Sequence, residues 1–220
     1  MTEPAQALQE IREDIDHAAR IARRKGADVT LIAISKTKSA EEIEPLLEAG
    51  HRVFGENRVQ EAQAKWPELK ARHPGVELHL VGQLQSNKAD DAVALFDAIH
   101  SLDRSSLVQA LAKAFGKAGR TVPCFVQVNI GDEDQKGGCA IADLPALIAE
   151  AREAGIPVAG LMCVPPLDVE PSPYFALLAK LAAENGLEGL SMGMSSDFES
   201  AVKVGATHVR VGTALFGARG

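Results

Sequence analysis

The stretch Val29-Thr-Leu-Ile-Ala-Ile-Ser35 centres on a continuous apolar, β-branched run, as expected of a strand buried on both faces. Comparable runs recur at Arg52 to Phe54, Glu77 to Val81, Ala98 to Ser101, Pro123 to Asn129, Val158 to Met162, Gly189 to Met192 and His208 to Val211. Between them lie stretches such as Ser105 to Ala118 and Asp143 to Ala154, with Leu, Ala and Ile at three- and four-residue intervals. That alternation predicts repeated βα units and a parallel sheet. Eight strands favour an α/β fold closed as a (β/α)8 TIM barrel over an open sheet.

A chain of 220 residues with 46% hydrophobic content is enough for one such domain, spanning 1–220, and leaves no room for a second of any size. No repeat, low-complexity tract or composition shift marks a boundary. Ahead of the first strand, roughly Gln6 to Lys25 reads as an amphipathic helix with Leu8, Ile11, Ile15 and Ile21 on one face. Residues 1–28 are therefore expected to plug or flank the barrel. Ser39 with Glu42 and Ser196 with Glu199 have capping-box spacing, and Gly26, Gly50, Gly119, Gly155 and Gly205 stand where helices should end. Pro45 predicts a kink or a late start in the helix after Ser39, and Pro165 to Pro173 predicts an irregular loop.

A net charge of −7 and 4% aromatic residues argue against a nucleic-acid surface, duplex or single-stranded. The three cysteines, Cys124, Cys139 and Cys163, are odd in number and widely spaced, so they read as reduced thiols, with neither a disulfide framework nor a metal knuckle. No apolar run reaches membrane-spanning length and the first residues lack a secretory signal, so a cytoplasmic protein is expected, and with no appended domain and no obvious exposed apolar stripe a monomer is the default.

Barrels of this class gather chemistry at the C-terminal ends of their strands. Strand one ends in Ser35-Lys-Thr-Lys38, strand two in Gly55-Glu-Asn-Arg58, strand three carries His79, and strand four gives Ser101-Leu-Asp-Arg104. Strand five ends at Asn129 before a loop with Lys136. Gly193-Met-Ser-Ser196 follows strand seven, and Arg210-Val-Gly-Thr213 closes strand eight. The small residues and hydroxyls of that last corner suit an anion, although tight turns alone would also account for the glycines. Lys36 is either a partly desolvated nucleophile, with Lys38 as its rival, or a lysine that snorkels out of a strand end. Arg210 either points at a ligand or pairs with a carboxylate such as Asp197. His79 reads more readily as a hydrogen-bonded core histidine than as a cofactor contact. Asn57 and Asn129 are candidates for polar contacts, and Glu56, Asp103 and Arg104 for an ionic layer at the barrel mouth. Met162, Met192 and Met194 suit packing. An amine, an anion cup and a fixed cation between them would match the aldehyde, phosphate and pyridine nitrogen of pyridoxal 5′-phosphate (PLP).

These residues also carry a resemblance over nearly the whole chain. Ile34-Ser-Lys-Thr-Lys38, Phe54-Gly-Glu-Asn-Arg-Val-Gln-Glu61, His79-Leu-Val-Gly-Gln-Leu-Gln-Ser-Asn-Lys88, Leu190-Ser-Met-Gly-Met-Ser-Ser-Asp197 and Val209-Arg-Val-Gly-Thr-Ala-Leu-Phe-Gly217 resemble the YggS/PROSC group of pyridoxal phosphate homeostasis proteins. That group is related in fold to the barrel domain of alanine racemase. Arg58 stands where the group often has an aromatic residue. The resemblance implies a Schiff base between PLP and Lys36, Arg210 at the pyridine nitrogen, Ser195, Gly212 and Thr213 at the phosphate, and Asn57 beside the ring. It places Lys38 and Lys136 as further lysines near the pocket, with no metal and no catalytic residue. The implied role is to buffer or deliver PLP, transiently to PLP-dependent apo-enzymes, without robust turnover. A PLP-dependent amino-acid racemase is the alternative. It would need a second proton donor, and Tyr174 is the only tyrosine. A PLP-free Schiff-base aldolase is a third reading.

Overall fold

The computed structural model describes residues 3–217. Met1, Thr2 and residues 218–220, which the expected single domain includes, lie outside the described residues. The strands are β1 (Thr30–Ile34), β2 (Val53–Glu56), β3 (Glu77–Leu80), β4 (Ala98–Leu102), β5 (Cys124–Gln127), β6 (Val158–Met162), β7 (Gly189–Met194) and β8 (His208–Val211). All pair in parallel, in the order of the sequence, and β8 pairs with β1 to close the barrel. Crossover helices α2 (Ala40–Glu48), α3 (Val59–Arg72), α4 (Ala89–Leu95), α5 (Ser105–Ala118), α6 (Leu144–Glu153), α7 (Ser172–Glu184) and α8 (Phe198–Val204) surround it. A leading helix α1 (Glu3–Ile21) and a short terminal helix α9 (Thr213–Phe216) complete the chain.

Alternation along each strand divides the core in two. Outward side chains pack under the helices, as where Phe54 of β2 meets Trp66 of α3 with ring centroids 4.9 Å apart. Both rings are fully buried. Helix α1 flanks the barrel against α2 and α8, burying Leu8, Ile11, Ile15, Ala18 and Ala19. Ile21 leaves this face and is 57% exposed. The helix stops there because Arg23 takes a left-handed conformation (φ 58°) and Arg24 N donates back to Ala19 O. Gly26 is thus not the helix end but opens a 3-10 turn, Gly26–Asp28.

Two other local expectations change. Of the kink or late start expected from Pro45, the late start does not occur: helix α2 begins at Ala40, because Ser39 and Glu42 form the full capping box, and Pro45 sits inside it. No box forms at Ser196, since α8 starts at Phe198 and the Asp197 carboxylate accepts from Met194 N, tying down the turn instead.

The inward face is unusually polar. His79, His100 and His208 lie together, with His100 stacked on Phe125 at 4.2 Å and His208 edge-on to Phe125 at 4.9 Å. Burial holds the His79 and His208 imidazoles down at about 4, and His100 well below its ordinary value. The unfolded chain binds protons at these rings as the pH drops through about 6.5, whereas the folded chain does not. Their contribution is therefore complete above 6.5 and is lost as the pH falls toward 4, roughly 3 kcal/mol for each of His79 and His208. The urea midpoint is expected to be level from pH 8 to 7 and to fall steadily between pH 6.5 and 4. A flat midpoint across the lower range would show that the imidazoles are already charged in the native state.

Candidate functional site

At the C-terminal end of the barrel a cavity of about 760 Å³ opens between the ends of β1 and β8. Of the sequence-derived candidates, Lys36, Lys38, Asn57, Ser195, Arg210, Gly212 and Thr213 all line it. Ile34, Val81, Val164, Met194 and Phe216 supply an apolar wall. A mostly apolar cleft with a few convergent polar groups is the usual form of a small-molecule site.

Lys36 follows β1 by two residues, so the inward register of Ile34 carries over to it. Its direction is set by a clamp from α3. Lys65 Nζ donates to Ser35 O at 2.8 Å and Lys38 O at 2.9 Å, bracketing the turn from both sides. Thr37 at its tip has φ 64°, and its N–H is taken by the Glu61 carboxylate. The Lys65 charge is balanced by Glu56, 2.9 Å away and fully buried. Glu56 also accepts from Ser35 Oγ (2.6 Å) and Trp66 Nε1 (2.9 Å). Lys38 leaves the turn toward Glu42, at 3.0 Å, with its ammonium 5.9 Å from the Phe216 ring centroid.

The opposite wall is built by an irregularity. The pairing of β7 with β8 shifts register between Ser191 and Met194, and Gly193 adopts φ 93° there. A side chain at Gly193 would press to 2.6 Å from Ala201 Cβ, so only glycine makes this bend. The bend brings Ser195 Oγ to the N–H groups of Gly212 (3.2 Å) and Ala214 (3.5 Å). A hydroxyl and two backbone donors thus converge at one corner. Arg210, 5% exposed, forms the floor, donating to Ser191 Oγ at 2.7 Å and Cys163 O at 2.8 Å. It makes no ion pair with Asp197.

Other candidates sit elsewhere. Lys136 is held by Pro165 O (2.7 Å) and Glu133 (2.6 Å) and does not line the cavity. Asn129 spends its amide on Glu133, closing its own loop. Glu56 joins no ionic layer with Asp103 and Arg104, which pair with each other at 2.6 Å. Tyr174 packs on the outer core in α7. Met162 and Met192 are buried, and Met194 alone of the three reaches the cavity. Among the described residues, no group of acidic, His and Cys side chains could hold a metal ion, and no helix is long and apolar enough to cross a membrane.

Residues 7–220 match the family described as alanine racemase, N-terminal domain. The pyridoxal phosphate homeostasis protein of Pseudomonas aeruginosa is 40% identical, covering 100% of this chain and 97% of the relative. That of Escherichia coli K12 is 37% identical, with 100% and 98% covered. The chain belongs to the pyridoxal phosphate homeostasis protein family. A solved relative, PipY of Synechococcus elongatus PCC7942 with PLP bound, superposes with a TM-score of 0.87 at 39% identity, covering 97% of this chain and 100% of PipY.

The part of this family site that sequence reading misses is the clamp on Lys36. Glu61 and Lys65 are four residues apart on α3, a spacing shared by many solvated helix pairs, and only the fold shows them reaching another strand. Removing one member of a buried ion pair strands the other charge. Lys65→Met is accordingly expected to cost about 3–5 kcal/mol, with Lys65→Met/Glu56→Gln recovering most of the loss. Denaturant titration of the three proteins checks this, and equal stability of the single and double variants would contradict the pairing.

Proposed function

We propose that the chain binds PLP at this cavity as a carrier or buffer of the cofactor, with Lys36 as the covalent attachment point. The observation that carries the reading is Arg210: a guanidinium buried in the cavity floor, held only by a hydroxyl and a carbonyl among the described residues. A buried cation with no carboxylate partner suits an electron-rich ring nitrogen that accepts from it. The Gly212 and Ala214 N–H groups both donate to Ser195 Oγ, and a phosphate would offer these N–H groups and the hydroxyl several acceptor oxygens. Gly212 and Thr213 border that corner, and Asn57 stands on the cavity wall, where it would lie beside the ring.

When bound, the cofactor supplies an aldehyde for covalent linkage and an electron-withdrawing ring. The remaining roles belong to the chain. Lys36 presents its amine from the clamped turn, Ser195 and its neighbours hold the anionic end, and Arg210 donates while keeping its own proton. The lining contains no tyrosine, histidine or carboxylate among the described residues. A two-base racemase needs a proton donor across the cofactor from the lysine, and an aldolase needs a general acid or base for its substrate, so both are less well supported. The reading includes a monomer in the cytoplasm that passes PLP to apo-enzymes. Three free, buried cysteines accord with a reducing compartment.

Protein supplied with PLP is expected to be yellow, and borohydride to bleach it and fix a pyridoxyl group on Lys36. Lys36→Ala should stay folded and colourless, and a label mapped to Lys38 or Lys136 would move the attachment point. Ser195→Ala should release PLP faster, by the equivalent of about 1–3 kcal/mol. An unchanged off-rate in that variant would remove Ser195 from the phosphate corner.

A further inference from the structure

The inward face of the barrel holds a hydrogen-bonded chain that runs from Arg210 to three side chains outside the proposed site. Arg210 Nη1 donates to Ser191 Oγ at 2.7 Å. Ser191 Oγ lies 2.8 Å from His100 Nδ1, and His100 Nε2 lies 3.0 Å from His79 Nδ1. His100 on β4 and Ser191 on β7 are on strands that do not pair, so their bond crosses the barrel interior. All four side chains are buried.

The polarity of this chain follows from its first member. A guanidinium has only donors, so Ser191 must accept. Its hydroxyl proton then has one remaining partner, His100 Nδ1. If His100 carried its proton on Nδ1 instead, the Ser191 proton would be buried with no acceptor, at the cost of an unmade hydrogen bond. His100 is thereby protonated on Nε2 and donates to His79 Nδ1, which leaves the His79 proton on Nε2, facing Glu77 at 3.9 Å.

We infer that Ser191 and His100 are positioning residues for Arg210, orienting its guanidinium toward the ring nitrogen of bound PLP through a chain of neutral acceptors. The inference rests on the PLP reading above. Its physical content is orientation without neutralisation. A carboxylate would aim the guanidinium equally well but would cancel its field at the cavity floor. A hydroxyl backed by a neutral imidazole fixes the geometry and leaves the full charge facing the ligand. Burial disfavours the charged form of both imidazoles, so a second interior cation does not compete with Arg210.

Two measurements on the full chain test this. In wild-type protein without cofactor, long-range ¹⁵N–¹H correlation spectra are expected to show His100 as the Nε2–H tautomer, and a proton on Nδ1 would overturn the chain. In PLP-loaded protein, Ser191→Ala is expected to move the borohydride-sensitive absorbance band and raise the PLP off-rate about tenfold, with Ser191→Thr restoring both. A folded Ser191→Ala protein with the wild-type band and off-rate would overturn the positioning role. If Ser191→Ala fails to fold, the tautomer measurement decides alone. Wild-type protein that never acquires the band would instead refute the PLP reading.

Discussion

The pairing of β8 with β1 is the constraint on which everything else rests. It sets Ile32 beside Arg210 and Ala33 beside Val211, so the next residues on each strand, Ile34 and Gly212, meet at the rim. A Cβ on Gly212 would already lie 3.3 Å from Ile34. The amine of Lys36 and the donors of the last two loops come from opposite ends of the described chain, and this one ladder of parallel hydrogen bonds makes them neighbours. The remaining strands hold the circumference at which that pairing closes.

Closure also creates an enclosed interior, and this chain fills it in an uncommon way. Barrels of this class usually stack branched aliphatic residues inside. Here three imidazoles, a serine and an arginine share that space with Phe125 and Ile32. The desolvation of His79, His100, Ser191 and Arg210 is offset by mutual hydrogen bonds rather than by opposite charges, and His208 pairs with Thr207 Oγ1. The opposite solution appears outside the barrel interior, where Glu56 and Lys65 neutralise each other beneath the β1 turn. The protein therefore places its balanced charges beneath the clamped turn and its unbalanced one in the floor of the cavity proposed to hold the ligand.

The architecture was legible because its signals are periodic. Short apolar runs alternating with helical stretches locate all eight strands, and β6 and β8 coincide with the runs Val158 to Met162 and His208 to Val211. The rim residues were legible because strand ends are where such barrels carry chemistry, and Lys36, Asn57, Ser195, Arg210, Gly212 and Thr213 do converge. Features set by contacts between distant elements were not legible. Nothing local in Lys65 says that it reaches back to Ser35 and Lys38, and nothing local in Lys136 says that Pro165 draws it away from the cavity. Helix α1 is stopped by left-handed Arg23 where Gly26, three residues later, was the obvious stop. The Ser196 box fails because Asp197 is recruited by the bend at Gly193. For the two lysines a tertiary contact overrides local preference, whereas at the two helix ends a different local arrangement displaces the expected signal.

Because the cavity wall is completed by the eighth strand, a ribosome-bound chain that has exposed only the first seven presents the lysine without its anion corner or its buried cation. On the proposed assignment, such a nascent polypeptide would carry the attachment amine without the groups that hold a phosphorylated aldehyde. On that assignment, vitamin capture would wait until the barrel shuts, and holding the ligand would report on finished folding.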